Sequence, residues 1–322
     1  MRNRILAAVF GLQVVVLVVV FFPESAPPPP EQLFAGLTQD QVARMSIADF
    51  DGGRIQLAVT ADGCVLPDAD NYPCRSAELD SLLGKIVAMT TDRLVTQTAS
   101  SHGRLGVAAR NFARLIEFEL ADGTSHGLYL GTSPRVGSLH VRADGRNEVY
   151  LTTGLFESDA AAEALAWIEP VYYKVAQDAV TSMSVVNSKG GFELRKDEAG
   201  QWSLTDQAEG EELDQSAART LTFRLSSLSM RRPLGLSDNA DYGLQDPTAL
   251  VKFETRDADG RVESHTIRVG APFGQADEYI TKSSAAPYYL TMGAYSVSDF
   301  LGKERGDFLL PASAEEADAE TP

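Results

Sequence analysis

Residues 116–130 read Ile-Glu-Phe-Glu-Leu-Ala-Asp-Gly-Thr-Ser-His-Gly-Leu-Tyr-Leu, and this stretch decides which kind of sheet the chain builds. Apolar side chains alternate with glutamates from Ile116 to Leu120, which is typical of a strand with one buried face. Asp122-Gly123 is a favoured hairpin turn, and a second apolar run follows it. The stretch therefore predicts an antiparallel β-hairpin.

The same order of motifs returns further along the chain. Val149-Tyr-Leu-Thr-Thr-Gly154 matches Tyr288-Tyr-Leu-Thr-Met-Gly293 at an offset of 139 residues (288 minus 149), so Tyr150 aligns with Tyr289. A second Asp-Gly turn at residues 259–260 again separates two apolar runs. An ordered series of such matches indicates internal duplication.

Each half contains one amphipathic helix before its hairpin. Ser76 is expected to cap the first helix and Asp214 the second, because both side chains can accept hydrogen bonds from the free N–H groups of a first turn. The chain therefore predicts an α+β protein of two duplicated, mainly antiparallel sheet-plus-helix halves after one N-terminal transmembrane helix. Each half is expected to place about six strands around its helix.

The apolar run, the repeat and the composition divide the chain into segments. They are expected to be a cytoplasmic stub (1–4), a transmembrane signal anchor (5–22), a proline-rich spacer (23–40), a first α+β repeat (41–157), a helical connector (158–178), a second α+β repeat (179–311) and an acidic disordered tail (312–322).

The start of the chain combines basic residues with a long apolar run. Arg2 and Arg4 precede residues 5–22, which are apolar apart from Gln13. As a helix this run would span about 27 Å, close to the hydrocarbon thickness of a bilayer. Because basic residues flank the cytoplasmic side of such helices, the rest of the chain is expected outside the cytoplasm. A cleaved signal peptide is the alternative, and it predicts the same compartment.

Composition and motifs disfavour several classes of function. The chain carries 45 acidic and 28 basic side chains, a net charge of −17, which disfavours a nucleic-acid partner because phosphates would be repelled. It has no Gly-x-Ser-x-Gly elbow, phosphate loop, dinucleotide fingerprint or His-Glu-x-x-His helix. We therefore expect no enzyme activity, no catalytic residue, no metal ligand and no cofactor.

The chain has two cysteines, Cys64 and Cys74. In an oxidising compartment they are expected to form a disulfide that joins a strand to the loop before the first helix. Two unpaired thiols are the alternative. The acidic run Asp68-Ala-Asp70-Asn71 between them lacks the spacing and the terminal glutamate of a calcium-binding loop.

Two further sets of side chains could serve either chemistry or packing. His126 and His265 occupy matching positions of the two halves, and a structural role is expected because a catalytic histidine would rarely be kept in both copies of a repeat. A proton-transfer or metal-binding role is the alternative. Near the end of the second half lie Tyr288, Tyr289, Tyr295 and Phe300. Core or cross-strand packing is expected of these aromatic residues, and a sugar-stacking platform is the alternative.

The order of strand, Gly-Gly hairpin, Trp-containing strand, helix, Tyr-Gly-Leu, Asp-Gly hairpin and Tyr-Leu-Thr resembles the bacterial domain-of-unknown-function family 4340. The resemblance covers residues 42–310 as two tandem copies. The second copy matches through Trp202 and Tyr242-Gly243-Leu244. The first copy departs from the pattern, with Cys64 in place of the tryptophan and Leu105-Gly106 in place of Tyr-Gly.

The resemblance implies structural repeat positions and transfers no catalytic residue. These positions are Gly106, Tyr150, Trp202, Tyr242, Gly243 and Tyr289. Members of the family resemble membrane-anchored extracytoplasmic proteins, and some are encoded beside ABC transporters of the gliding-motility type. The chain is therefore expected to be a single-pass protein of the bacterial inner (cytoplasmic) membrane, with its bulk periplasmic or extracytoplasmic.

The expected function is that of a membrane-anchored, non-catalytic protein-protein interaction module, an accessory of a gliding-motility-type ABC transporter complex. It would contact membrane lipid through its N-terminal helix, and a membrane-protein partner through its sheet edges or the cleft between its halves. An envelope glycan or polymer binding module is the alternative, and it requires an exposed aromatic cluster or a cleft. A third hypothesis is a hydrolase whose catalytic carboxylates are far apart in the sequence. It requires two carboxyl groups close together in the fold, with a perturbed pKa.

Overall fold

The computed structural model describes residues 31–274 and 277–311. The predicted stub, anchor and acidic tail, together with residues 23–30 of the predicted spacer, lie outside the described residues. Within the described ranges, no helix combines the length and the apolar character needed to cross a bilayer.

The first half is built around a nine-stranded sheet. Its strands are β1 (Val42–Asp49), β2 (Arg54–Thr60), β3 (Gly63–Leu66), β4 (Tyr72–Pro73), β5 (Leu94–Thr96), β8 (Arg114–Leu120), β9 (Ser125–Leu130), β10 (Ser138–Ala143) and β11 (Val149–Thr153). The short strands β6 (Val107–Ala108) and β7 (Asn111–Phe112) form a separate hairpin. All pairs are antiparallel, in the order β4-β3-β2-β1-β8-β9-β10-β11-β5.

The second half is built around an eight-stranded sheet. Its strands are β13 (Val180–Asn187), β14 (Gly190–Lys196), β15 (Trp202–Leu204), β17 (Arg232–Gly235), β18 (Ala249–Arg256), β19 (Val262–Pro272), β20 (Glu278–Ser283) and β21 (Tyr289–Gly293). Two short strands, β12 (Val171–Lys174) and β16 (Ser227–Ser229), pair with each other. The sheet is antiparallel, in the order β15-β14-β13-β18-β19-β20-β21-β17.

The two sheets have the same strand order. If β4 is left out, the first sheet follows the second strand for strand, from β3 and β15 at one edge to β5 and β17 at the other. The predicted α+β class with mainly antiparallel sheet is confirmed, whereas about six strands per half is too few. The edge strands β4, β5 and β17 are only two to four residues long, too short for alternation to reveal them. Duplication as the origin of this likeness stays a prediction.

In the described part of the chain, the α-helices are α1 (Ser76–Val87), α2 (His102–Leu105), α3 (Gln215–Ser226) and α4 (Ala294–Gly302). The predicted cap of α3 is confirmed, because the Asp214 carboxylate accepts a hydrogen bond from the Ser216 N–H at 2.8 Å. The predicted cap of α1 is wrong. Ser76 is already the first helical residue, and its hydroxyl accepts a hydrogen bond from the Cys64 N–H at 3.0 Å.

One continuous apolar core joins the two halves. Trp167, in the segment between them, is 2% exposed, and its indole N–H donates to the Ala161 carbonyl at 2.8 Å. The connector 158–178, predicted to be helical, contains two 3-10 turns (Glu157–Ala160 and Ala164–Ala166) and strand β12 instead of an α-helix. The alanines favour a helix, but burial of the tryptophan in the shared core overrides that propensity.

Residues 31–40 pack on the first half rather than extending the predicted spacer. Leu33 and Phe34 are buried, and the Leu33 N–H donates to the Met89 carbonyl at 2.8 Å. The Phe34 ring contacts the Phe118 ring, with 5.2 Å between their centres. An apolar pair that begins three residues after the last proline (33 minus 30) gains more from burial than from remaining in an extended spacer. The predicted boundary at residue 41 is therefore too late.

The pairing of β21 corrects one predicted equivalence. Counted along the paired strands from the centre of each sheet, Tyr150 corresponds to Leu290, one residue beyond the predicted Tyr289. A one-residue slip moves a side chain to the other face of a sheet. Tyr150 accordingly packs in the core, whereas Tyr289 lies on the opposite face.

Candidate functional site

Three basic side chains lie side by side on the face of the second sheet that points away from the core. They are Lys252 on β18, Arg268 on β19 and Lys282 on β20, and they are called the basic row below. Arg268 is paired directly with Lys282, and Lys252 is paired with Thr266, two residues before Arg268. Neighbouring strands lie about 4.8 Å apart, so the row extends about 10 Å across three strands.

The basic row lines an open cleft of about 540 Å³. The other lining residues are Asp238, Leu244, Gln245, Pro247, Leu250, Thr266 and Tyr289. Among the described residues, no carboxylate lies within ion-pair distance of any member of the row. Like charges directly opposite each other destabilise a sheet. Repulsion of this kind between neighbouring cations is expected where the cations bind a ligand.

Lys282 is the least exposed member of the row. Its ammonium donates to the carbonyl oxygens of Ser283, at 3.1 Å, and Ala286, and it lies 5.4 Å from the centre of the Tyr289 ring. Burial lowers the pKa of Lys282 from its usual value. An anion in the cleft would favour the charged ammonium and would raise that pKa again.

Tyr289 lines the cleft, and Tyr242 packs against it. The centres of the two rings are 5.5 Å apart, and burial is the main cause that raises the pKa of Tyr242. Close backbone contact holds the Tyr-Gly-Leu motif in place. Gly243 has a φ of +65°, and a Cβ on Gly270 would overlap the carbonyl oxygen of Tyr242. Gly106, with a φ of +67°, has the same conformation in the first half.

The corresponding face of the first sheet is closed over two of the three matching positions, whereas the third, Glu117, stays exposed. The positions of the basic row are taken there by Glu117, Tyr129 and Arg142. A buried apolar cluster under the β6–β7 hairpin consists of Leu105, Val107, Tyr129 and Val149. Arg142 is 6% exposed, and its Nε–H donates to the Val107 carbonyl at 2.7 Å. Its guanidinium carbon lies 4.3 Å from the centre of the Tyr129 ring, so this cation is part of the packing.

A difference in loop length explains why the β6–β7 hairpin covers part of the first sheet. Ile116 and Val251 have the same place in their sheets. Ile116 follows Gly106 by ten residues (116 minus 106), whereas Val251 follows Gly243 by eight (251 minus 243). The two additional residues allow the β6–β7 hairpin to fold across the first sheet. Over the described ranges the second sheet has no counterpart of this hairpin, and its face remains open.

Cys64 and Trp202 take matching places on the outer strands β3 and β15. Cys64 is paired with Val59 and Trp202 with Lys196, and both side chains are buried. The structure joins Cys64 to Cys74 by a disulfide, with their Cα atoms 5.1 Å apart. The oxidation of these cysteines in the cell stays a prediction.

His126 and His265 also take matching places, paired with Phe118 and Phe253. The ring centres of the two pairs are 5.3 Å and 4.8 Å apart. The Nε2 of His265 lies 2.9 Å from the Thr255 hydroxyl, and burial lowers the pKa of His265. A buried, stacked and neutral ring in this setting supports a structural role.

Over the ranges that the structure describes, two acidic side chains have shifted pKa values, and both shifts are downward. A hydrogen bond from the Thr124 N–H is the main cause that lowers the pKa of Asp122. Hydrogen bonds from the Arg305 guanidinium lower the pKa of Glu211 to about 2. A general acid needs the opposite shift. Within the part of the chain that the structure describes, no group of three or more His, Cys, Asp or Glu side chains is placed to hold a metal ion.

The aromatic residues near the end of the second half do not form one platform. Phe300 is buried in the core, Tyr288 contacts Tyr72 of the first half, and Tyr295 is 74% exposed on α4. Of this group, Tyr289 faces the cleft. The sequence did not predict the basic row, because its members are far apart in the chain and belong to no motif. The one available signal was their alternation with apolar neighbours.

These features define an α+β protein of two antiparallel sheets with an open cationic cleft on one of them. The chain belongs to the family described as a domain of unknown function (DUF4340), whose model matches residues 65–247. The matched range begins in β3 of the first sheet and ends just before β18 of the second, so it does not confirm two tandem copies. Neither a curated protein nor a solved structure matches the chain.

Proposed function

We propose that the protein is a non-catalytic binding protein outside the cytoplasm, tethered to the bacterial inner membrane by residues 5–22, whose basic row binds an anionic ligand of the cell envelope. The observation that carries the proposal is the basic row itself, three cations beside a tyrosine in an open cleft. The chain as a whole has a net charge of −17 and repels anions. Attraction for an anion therefore requires a local cluster of cations such as this row.

The chemistry of the cleft indicates the class of ligand. Arg268 offers a planar fork that suits carboxylate or phosphate, and the lysines on the two neighbouring strands add a point charge on either side. The Tyr289 ring offers an apolar surface on which a sugar ring can stack. A polymer that carries carboxylate or phosphate groups on sugar or polyol units fits all of these features.

The predicted anchor would hold the cleft close to the membrane. Five prolines lie between Phe22 and the packed Leu33, at positions 23 and 27–30. If the segment up to Glu31 were extended, as its prolines favour, nine residues (31 minus 22) at about 3.1 Å each would reach about 28 Å. Confinement to this layer would raise the effective concentration of the cleft toward an envelope polymer.

Binding to defined polyanions tests the proposal. The full chain in detergent is titrated calorimetrically with polyphosphate, with polygalacturonate and with neutral dextran. Lys252→Glu combined with Arg268→Glu is expected to lower the affinity for the bound polyanion about a hundredfold, since each charge-assisted hydrogen bond contributes about 1.5–3 kcal/mol. Glu117→Lys, which adds a cation at the matching position of the first sheet, is the control and should leave the affinity unchanged. Failure of both polyanions to bind the wild-type protein contradicts the proposal.

An accessory role in a transporter complex is the second candidate, and one edge of the first sheet favours it. Strand β5 lies at the end of that sheet and exposes Leu94 and Val95. Such an edge can accept a strand from a partner protein. Crosslinking in native membranes, followed by mass spectrometry, is expected to recover transporter subunits with the wild-type protein and fewer with Val95→Lys. The cleft variant should recover as many as the wild type, and recovery of no reproducible partner contradicts this candidate.

A further inference from the structure

We propose that the loop 64–74 of the first half positions the wall of the cleft in the second half, and that Asp70 is the positioning residue. This inference rests on the proposed function of the cleft. No residue of the loop lines the cleft, so its influence on a ligand has to pass through the strands of the second sheet.

Asp70 makes a contact between the halves from a left-handed backbone conformation. Asp70 and Asn71 have φ values of 52° and 59°, in a region that aspartate and asparagine adopt more readily than most residues other than glycine. In this conformation the Asp70 carboxylate accepts a hydrogen bond from the Leu236 N–H at 2.6 Å.

Leu236 directly follows β17, the strand that supports the tyrosine of the cleft. Gly235, the last residue of β17, is paired with Tyr289. A Cβ on Gly235 would stand 2.6 Å from the carboxylate oxygen of Asp70 that binds Leu236, so Asp70 and the strand fit together because this residue is glycine. The contact therefore sets the position of the backbone beside Tyr289.

Tyr72, in the same loop, contacts the residue that precedes the cleft tyrosine. The centres of the Tyr72 and Tyr288 rings are 4.8 Å apart. The Tyr172 hydroxyl, from the segment between the halves, donates to the Tyr288 carbonyl at 3.0 Å. The position of Tyr289 is thus fixed both through β17, the strand paired with it, and through Tyr288, its neighbour in the chain.

The disulfide closes the loop that carries these contacts. Cys64 in β3 and Cys74 after β4 join its two ends, and the Cys74 N–H donates to the Cys64 carbonyl at 2.9 Å. A short closed loop has little conformational freedom of its own. It can therefore present Asp70 and Tyr72 in fixed positions, as a supporting shell for a binding site requires.

Removal of the Asp70 carboxylate distinguishes positioning from simple electrostatics, because the two predict opposite changes in the affinity for a polyanion. If charge alone matters, removal of a carboxylate from the surroundings of a cationic cleft strengthens the binding of a polyanion. Positioning predicts the opposite result. Asp70→Ala releases the Leu236 N–H and weakens binding, although the protein becomes less negative.

The test uses the full chain in detergent, with polyphosphate as the probe, or polygalacturonate if that is the polymer that the wild-type protein binds. Asp70→Ala is expected to lower the affinity about fivefold or more, which is a usual coupling between two sites. Asp70→Asn, whose amide oxygen can still accept the Leu236 N–H, is expected to restore most of the affinity. Asp68→Ala makes the same charge change at an exposed position of the same loop, and as the control it should bind at least as tightly as the wild type.

The possible outcomes separate this inference from the proposed function. An Asp70→Ala protein that binds as tightly as the wild type overturns the positioning role and leaves the proposed function intact. A wild-type protein that binds neither polyanion overturns both. If Asp70→Ala does not fold, hydrogen exchange on the wild type decides. Bound polyanion is expected to slow exchange over residues 232–237, which do not line the cleft, and unchanged exchange there overturns the inference.

Discussion

The two sheets share a strand order, yet they differ on the faces that point away from the core. On the first sheet the β6–β7 hairpin and an apolar cluster cover the part of this face at Tyr129 and enclose Arg142. On the second sheet the basic row faces an open cleft. One scaffold can therefore use the same face for packing or leave it open for a ligand. A loop longer by two residues and a few side-chain identities separate the two results.

A second difference lies on the outer strands, where Cys64 and Trp202 match. In the second half the Gln215 side chain accepts from the Trp202 N–H at 2.9 Å and donates to the Trp202 carbonyl at 2.7 Å. In the first half the Ser76 hydroxyl and the Cys74 N–H take these two roles toward Cys64. The smaller cysteine is thus accompanied by a closed loop that reaches the other half.

The largest expected effect tests whether the first face is packed and the second is not. Tyr129→Ala is expected to lower the free energy of unfolding by about 3 kcal/mol or more, because Tyr129 is buried beneath Arg142. Arg268→Ala, at the matching position, is expected to change it by less than about 0.5 kcal/mol, because Arg268 is exposed. Urea unfolding of the two variants measures the difference. Equal losses of stability would contradict the contrast between the faces.

The next effect concerns the closed loop that only the first half has. Cys64→Ser combined with Cys74→Ser is expected to lower the free energy of unfolding by about 2–3 kcal/mol, from the loop-closure entropy of a short disulfide. Wild-type protein under reducing conditions is the control and should show the same stability. If both thiols of denatured, unreduced wild-type protein react with a labelling reagent, the disulfide is absent and the prediction fails.

A smaller effect is expected on the pH dependence of the protein's stability, through His265 in the second half. Because burial lowers the pKa of His265 below its usual 6.5, the unfolded chain binds a proton more readily than the folded chain. The stability that comes from the neutral ring is present above about pH 6.5 and is lost as the pH falls through the lowered pKa. His265→Phe keeps the stack on Phe253 and should flatten the pH dependence of the unfolding midpoint between pH 7 and pH 5. His126→Phe, the matched substitution in the first sheet, serves as the comparison variant. If the unfolding midpoint of His265→Phe depends on pH as steeply as that of the wild type, the prediction is refuted.

The smallest effect concerns Lys282 and the pH dependence of the affinity for a polyanion. Because burial lowers the pKa of Lys282, its ammonium loses a proton at a lower pH than an ordinary lysine. Affinity for a polyanion is therefore expected to fall as the pH rises through that lowered pKa. Lys282→Arg keeps a permanent charge and should retain affinity at high pH, while binding similarly at pH 7. Calorimetric titrations at several pH values measure this, and parallel curves for the two proteins would rule it out.

Local patterns predicted much of the fold. Alternation and Asp-Gly turns located the hairpins β8–β9 and β18–β19, and Asp214 caps α3 as expected. The Ser76 cap failed because a strand N–H from Cys64 binds the same hydroxyl. The helical connector predicted at residues 158–178 failed because the buried Trp167 has a stronger influence than the alanines around it.

The candidate site could not be predicted in the same way. Lys252, Arg268 and Lys282 come from three strands, and each resembles an ordinary outward residue of an alternating run. The pairing register alone makes them neighbours. A slip of one residue, such as the one that separated Tyr289 from its predicted match with Tyr150, would have moved a member of the row to the other face.

Features with local causes can be recognised in the amino-acid sequence: alternating strands, Asp-Gly turns, amphipathic helices and the negative charge. Three other features come from the packing of distant segments: which part of a sheet face is covered, which cations become neighbours, and the hydrogen bond of Asp70 with Leu236 across the two halves. These features depend on strand register and loop length over long separations in the chain. Their free energies arise only when distant segments pack against each other, so no local pattern reports them.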